Sequence, residues 1–169
     1  VDLRALADHQ LADIRLSQIG FVFQSFNLLP ALTIFENVAW PLEFSGLSKA
    51  SVRERVHDSL VRVGIAERAQ RYPSELSGGE QQRAAIARAI ATRPTILLAD
   101  EPTGSLDSRT GRLVLDLLRT LNKSEMVTVL MVTHNAFAAT YGDRTLEMRD
   151  GVIERDIRGD DSQSVEEKS

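Results

Sequence analysis

Five short stretches of the sequence carry residue types that could do chemistry. LSGGE, residues 76–80, sets Ser77 and two glycines at the mouth of a strongly helical run. Ser77 with Glu80 three positions on is a capping box, which starts helices whatever else it does. Without β-carbons at Gly78 and Gly79, the first-turn amides face outward bare with the helix dipole behind them, which suits an anion. Ser77 adds a hydroxyl donor. ILLADE, residues 96–101, reads as a buried strand that delivers Asp100 and Glu101 at its carboxyl end. In open α/β sheets, ligands bind at that end. Asp100 suits Mg²⁺ held through water, and Glu101 suits polarising an attacking water. The same Asp-Glu-Pro also reads as a plain strand end and turn. In GSLD, Asp107 is placed to cap the next helix, with a contact across a dimer interface as a second role. His134 closes VTVLMVTH at the same sheet edge, and an imidazole that donates one hydrogen bond and accepts another suits a phosphate or water contact. Gln24 ends the first short strand. His9 and His57 have no such setting and read as surface residues.

Positioning these groups requires an α/β frame. Residues 1–16 have helical spacing, with Leu3, Leu6, Leu11 and Ile14 near one face. Ile19–Phe23 reads as a strand, and Thr33 with Glu36 as a capping box opening a helix that ends near Pro41. Val52, Val56, Leu60 and Val63 form the stripe of an amphipathic helix over 48–63, stopped by Gly64. The helix from Ser77 closes before Pro94. The runs 95–99 and 127–132 are continuous apolar segments separated by a helix over 108–121, a pattern of parallel strands buried on both faces. Asp150-Gly151 marks a hairpin between 145–148 and 152–156. The polar tail 159–169 is expected to be disordered. The expected organisation is one domain over 1–158, with an all-helical subdomain over about 33–93 between α/β parts at about 17–32 and 94–158.

Composition narrows the function. The chain has 169 residues, 43% hydrophobic and 26% charged, with a net charge of −4. That balance gives no support for nucleic-acid binding. No cysteine is present, which excludes disulfides and thiolate chemistry. No apolar run approaches bilayer length.

Taken in order, Gln24, LSGGEQQR, LLADEPTGSLD and VTH resemble the ATP-binding-cassette (ABC) ATPases, and the resemblance runs from about Leu11 to Ile157. It implies a P-loop NTPase-like parallel sheet with an inserted helical subdomain. It implies ATP and Mg²⁺ as ligands. Gln24, Ser77, Gly78, Gly79, Glu80 and Asp107 would then face nucleotide, Asp100 and Gln24 the metal, and Glu101 and His134 the chemistry. GFVFQSFNLLPALTIFENVAWPLEFSG is similar to subunits of lipoprotein release and of macrolide or peptide export. The implied partners are a transmembrane permease and a second ATPase subunit facing head to tail, with the chain on the cytoplasmic side of the inner membrane through its permease. Phe26, Leu28, Leu29 and Leu32 are candidates for the permease contact. DNA-repair and chromosome-structure ATPases share these motifs but carry a long coiled-coil or zinc insert, and the segment between Gln24 and Leu76 has room for neither.

The family's phosphate cradle is G-x-x-x-x-G-K-[ST]. The three lysines, Lys49, Lys123 and Lys168, follow no such pattern. The sequence therefore resembles the C-terminal two-thirds or more of a nucleotide-binding domain, so the sheet is expected to be incomplete. The strand leading into the cradle is expected beside the strand ending at Asp100, leaving that strand's face or edge exposed and the fold marginal or partner-dependent. The alternative function is a non-catalytic module that donates its signature, LSGGE, to an intact partner.

Overall fold

The computed structural model describes residue 4 and residues 6–158, which form two compact units parting between Val132 and Thr133. In the first unit, α1 (Asp8–Gln18) leads into β1 (Ile19–Phe23). A helical stretch follows: α2 (Ile34–Ala39), a 3₁₀ turn (Trp40–Phe44), α3 (Lys49–Arg62) and α4 (Gly78–Ile90). Then come β2 (Ile96–Asp100), α5 (Ser108–Glu125) and β3 (Thr128–Val132). The second unit holds a short α6 (Ala136–Ala139) and the antiparallel pair β4 (Arg144–Arg149) and β5 (Val152–Arg158).

Local chemistry sets most boundaries. Glu36 accepts hydrogen bonds from the Thr33 amide and hydroxyl, each at 2.8 Å, closing the box that starts α2. Pro41 opens the 3₁₀ turn that replaces the helix after Ala39, since it has no N–H to continue the ladder. Gly64, at φ 70° with open space around its missing β-carbon, ends α3, because a left-handed residue costs glycine nothing. Asp150 and Gly151 both have positive φ, as a two-residue hairpin turn requires. The N-terminal helix differs from expectation. It starts at Asp8, where Gln10 caps the Ala7 amide at 3.0 Å, and none of its residues is buried. Leu6 precedes it, and Leu3 lies outside the described residues, as does the tail 159–169.

The three parallel strands lie in the order β1-β2-β3. The β2–α5–β3 crossover brings β3 directly alongside β2. The strand ending at Asp100 therefore has both edges filled, and a further strand could join only at β1 or β3. That corrects the expectation of a missing neighbour beside β2. One sheet face is core: Val22, Leu97 and Ala99 are buried. They pack with residues of α4 and α5, such as Ile86, Ile90, Val114 and Leu118. Gly20 permits the close approach, because a β-carbon there would sit 2.5 Å from the Ala89 carbonyl oxygen of α4.

The opposite face is open. Phe21 and Ile96 are exposed, Leu130 is 57% and Val132 61% exposed. Burial on both faces is thus not what the apolar runs achieve in this chain. An uncovered apolar sheet face is a self-association surface. The 169-residue polypeptide on its own is expected to bind a hydrophobic dye and to sediment as a concentration-dependent mixture. Leu130→Lys with Val132→Lys should suppress both, as read by dye fluorescence and analytical ultracentrifugation.

Candidate functional site

The carboxyl edge of the sheet assembles the first group of candidates. Asp100 ends β2 in register with Phe23 of β1 and Val132 of β3. Gln24 and Glu101 each follow directly. Gln24 is exposed and leans over the loop after β2. A β-carbon on Gly104 would fall 2.6 Å from Gln24 Nε2 and 2.9 Å from its Cδ. Ser105 Oγ donates to the Gln24 carbonyl at 3.1 Å. The GSLD loop therefore seats Gln24, whose side chain would have to shift to admit a β-carbon at 104.

Glu101 is half-buried and has φ 45°, a left-handed conformation that a non-glycine residue adopts only when its surroundings hold it there. Its amide donates to Val132 O and its carbonyl accepts from Gly104 N, both at 2.9 Å. Asp100, one residue earlier, is exposed. Among the described residues no three His, Cys, Asp or Glu side chains converge on one point. A cation here would rest on Asp100 and the Gln24 amide oxygen. Those are hard oxygen donors of the kind Mg²⁺ takes while keeping waters and phosphate oxygens in its shell.

The second group sits at the start of α4. Ser77 is exposed, caps the helix and forms the full box. Its amide donates to Glu80 Oε2 at 2.9 Å and its hydroxyl at 2.7 Å. Arg68 Nε donates to Glu80 Oε1 at 2.9 Å. The first-turn amides of Gly78 and Gly79 have no preceding helical carbonyl to bond. The two glycines differ. Gly79 is buried, and a β-carbon on it would collide with the Thr110 methyl at the start of α5. Its bareness serves helix packing. A β-carbon on Gly78 would meet Leu106 at 3.4 Å and Phe26 at 3.8 Å, ordinary contact distances. At both glycines the place of the missing β-carbon faces protein atoms, tightly at Gly79 and loosely at Gly78.

The Ser77 hydroxyl and amide, with Arg68, pull the Glu80 carboxyl down from its ordinary 4.5 to about 2. A carboxylate with a depressed folded pKa stabilises the fold fully above its unfolded value and loses that effect as pH falls through the folded one. The stability gap between the unsubstituted chain and Ser77→Ala should thus be widest above pH 4.5 and close towards pH 2. Chemical denaturation across that range, with the Glu80 titration followed by NMR, reads it.

Asp107 caps α5, accepting from the Arg109 and Thr110 amides at 3.0 Å each. A hydrogen bond from the Thr110 side chain, together with these amides, holds its carboxyl below the usual range. His134 is exposed and belongs to the second unit, two residues past the end of β3. Three residues escaped sequence reasoning. Buried Asn37 stitches the loop before α2 by bonding Leu29 N, Leu29 O, Leu32 O and Thr33 O. Arg88 donates to the carbonyls of Phe26 and Asn27, both in left-handed conformation. Gln82 is fully buried behind the site. Asn37 is an amide amid apolar helix positions, which was the available signal, and Gln82 lies in the polar run EQQR, which offers none.

A parallel α/β sheet carrying an acidic pair at its carboxyl edge belongs to the class of folds in which ligands bind at that edge. The family profile for ABC transporters matches residues 2–104, and the chain belongs to that family. It is 44% identical over 156 residues to the ABC transporter ATP-binding protein YtrE of Bacillus subtilis, covering 92% of this chain and 68% of that one. It is 47% identical over 146 residues to the lipoprotein-releasing system ATP-binding protein LolD of Syntrophus aciditrophicus, covering 86% of this chain and 66% of LolD. The chain thus spans about two thirds of these relatives. Among solved structures, it is similar to the dimeric post-hydrolysis state of the cassette MJ0796 of Methanocaldococcus jannaschii bound to ADP and Pi. The TM-score there is 0.81 at 43% identity, over 94% of this chain and 71% of that one.

Proposed function

We propose that the chain is the ATP-binding subunit of an ABC transporter of the lipoprotein-releasing or macrolide-exporting kind, coupling ATP hydrolysis to work across an envelope. The observation that carries this is the convergence of Gln24, Asp100 and Glu101 at one sheet edge, in a chain that also presents Ser77 on an exposed helix mouth. The likeness to LolD, and to the macrolide export ATP-binding/permease protein MacB of Syntrophobacter fumaroxidans at 48% identity, supports the branch.

In this reading Glu101 polarises the attacking water. Asp100 and Gln24 would hold Mg²⁺, which when bound offsets phosphate charge. His134 contacts the terminal phosphate. Ser77, the Gly78 and Gly79 amides and the Glu80 end of the helix mouth face an ATP held mainly by a second subunit, head to tail, and Asp107 lies at that interface. The permease is met near the Gln24 loop. There Leu28 is packed against the core while Leu29 is exposed, so Leu29 with Phe26 and Leu32 is the better contact. Among the described residues no helix is long and apolar enough to cross a membrane, and the membrane is reached through that partner on its cytoplasmic side.

The second reading is a module that lends its signature in trans. These 169 residues hold no P-loop lysine. Charge-assisted hydrogen bonds contribute about 1.5–3 kcal/mol each, so a site without that cradle binds ATP too weakly to turn it over. The 169-residue polypeptide alone is expected to show no ATPase above background. The test for both readings mixes it with an intact ABC subunit whose own signature serine is replaced by arginine. Restored turnover supports trans presentation of Ser77. Turnover by the 169 residues alone, removed by Glu101→Gln, would overturn the account of the missing cradle.

A further inference from the structure

We propose that Gln82 is a positioning residue for Glu101 and Gln24, an inference that rests on the reading of those two as site residues. Gln82 lies on α4, two residues past the helix mouth, and is fully buried. Its side-chain amide nitrogen donates to Pro102 O at 2.7 Å and reaches Phe23 O at 3.4 Å. Pro102 directly follows Glu101, and Phe23 directly precedes Gln24. One amide group therefore spans the two backbone segments that carry the candidate water-activating carboxylate and the candidate metal ligand. Two carbonyl oxygens facing the same group fix which amide atom points at them, since an oxygen turned that way would be repelled.

Among the described residues Gln82 Oε1 meets no protein hydrogen-bond partner, while its Nε2 satisfies two backbone carbonyls that an apolar side chain of the same length would leave without this donor. The same two bonds restrain the segments that they join. Glu101 stands in a left-handed conformation, which persists only where neighbours over-determine it. The bonds from Glu101 N to Val132 O and from Gly104 N to Glu101 O hold one side of that turn, and Gln82 holds Pro102 on the other. Because α4 also begins at Ser77, whatever engages the helix mouth acts on the same rigid element that grips the turn.

The test is Gln82→Met, which keeps length and apolar packing but removes the donor. Amide hydrogen exchange is read on the 169-residue chain. The expected result is exchange about tenfold faster in the segments 101–105 and 24–27, with α3 and the β4–β5 pair unchanged. Uniformly faster exchange, or none, overturns the proposal. Where the full polypeptide containing these residues hydrolyses ATP, Gln82→Met should lower kcat about tenfold with KM for ATP within about twofold. An unchanged kcat overturns it. Absence of ATPase in the unsubstituted full polypeptide would instead defeat the functional reading, and the exchange result would still decide the role of Gln82. Should Gln82→Met fail to fold, the unsubstituted chain decides it. Slow exchange of the Gln82 side-chain amide protons supports the restraint, and fast exchange of both overturns it.

Discussion

Glu101→Gln in the full polypeptide is expected to lower ATP turnover by about 10²–10⁴-fold, the range a positioned general base contributes. Glutamine keeps the size of the side chain and can still accept a hydrogen bond from water, but it cannot take the proton. Glu101 is half-buried and its backbone is fixed on both sides, so the substitution should leave the turn intact. Nucleotide affinity should change little, because phosphate contacts and hydrolysis rest on different groups. Steady-state turnover beside equilibrium nucleotide binding separates the two. A matched loss in both would mean that Glu101 holds the turn and not the water. The same substitution in the 169-residue chain, used only as a donor of Ser77 to an intact subunit, should leave the restored turnover unchanged. In that arrangement the carboxylate acting on the nucleotide belongs to the subunit that supplies the P-loop. Opposite outcomes for one substitution in two settings would separate the roles of the sheet edge and the helix mouth.

The parts of the site that were legible in the sequence are those fixed by local chemistry. Asp100 was readable because an apolar run stops at a carboxylate, and Ser77 with Glu80 because a capping box is a four-residue pattern. Asp107 as a cap has the same origin. Gly79 shows the limit. Its lack of a β-carbon looked like clearance for a ligand, yet the constraint is the Thr110 methyl on another helix, and nothing in the adjacent residues signals that neighbour. Gln82 sits in EQQR, a run that resembles a solvated helix face, yet it is fully buried, with Phe23 and Pro102 of the sheet edge as its partners. The strands illustrate a third case. Leu130 and Val132 alternate with Val129 and Met131 in an unbroken apolar run, and such a run says that both faces can be covered without saying that both are. Strand order was misjudged for a related reason. Apolar segments do not say which neighbour each will take, and the α5 crossover gave β2 a second partner in β3.

Ser77→Arg is expected to abolish the ability of this chain to restore turnover to a signature-blocked subunit, while leaving it folded. The reasoning turns on exposure. Ser77 is solvent-exposed with no core contact to lose, and arginine costs the helix little beyond the lost cap. Replacing a capping serine weakens a helix by roughly 0.5–2 kcal/mol, which a thermal midpoint will register as a modest drop. The functional loss should be far larger than that drop explains. A bulky side chain at the helix mouth blocks approach to the Gly78 amide and removes the hydroxyl donor. Ser77→Ala separates the two effects. It lacks the hydroxyl and the cap but leaves the approach open, so it should lose about one charge-assisted hydrogen bond of binding, roughly 1.5–3 kcal/mol or about 10–150-fold. A serine acting only as a helix cap predicts a different order, with both variants losing activity in proportion to their fall in melting temperature. Measuring restored turnover and thermal midpoint for both substitutions decides between a residue that starts a helix and one that also meets a nucleotide from outside its own chain.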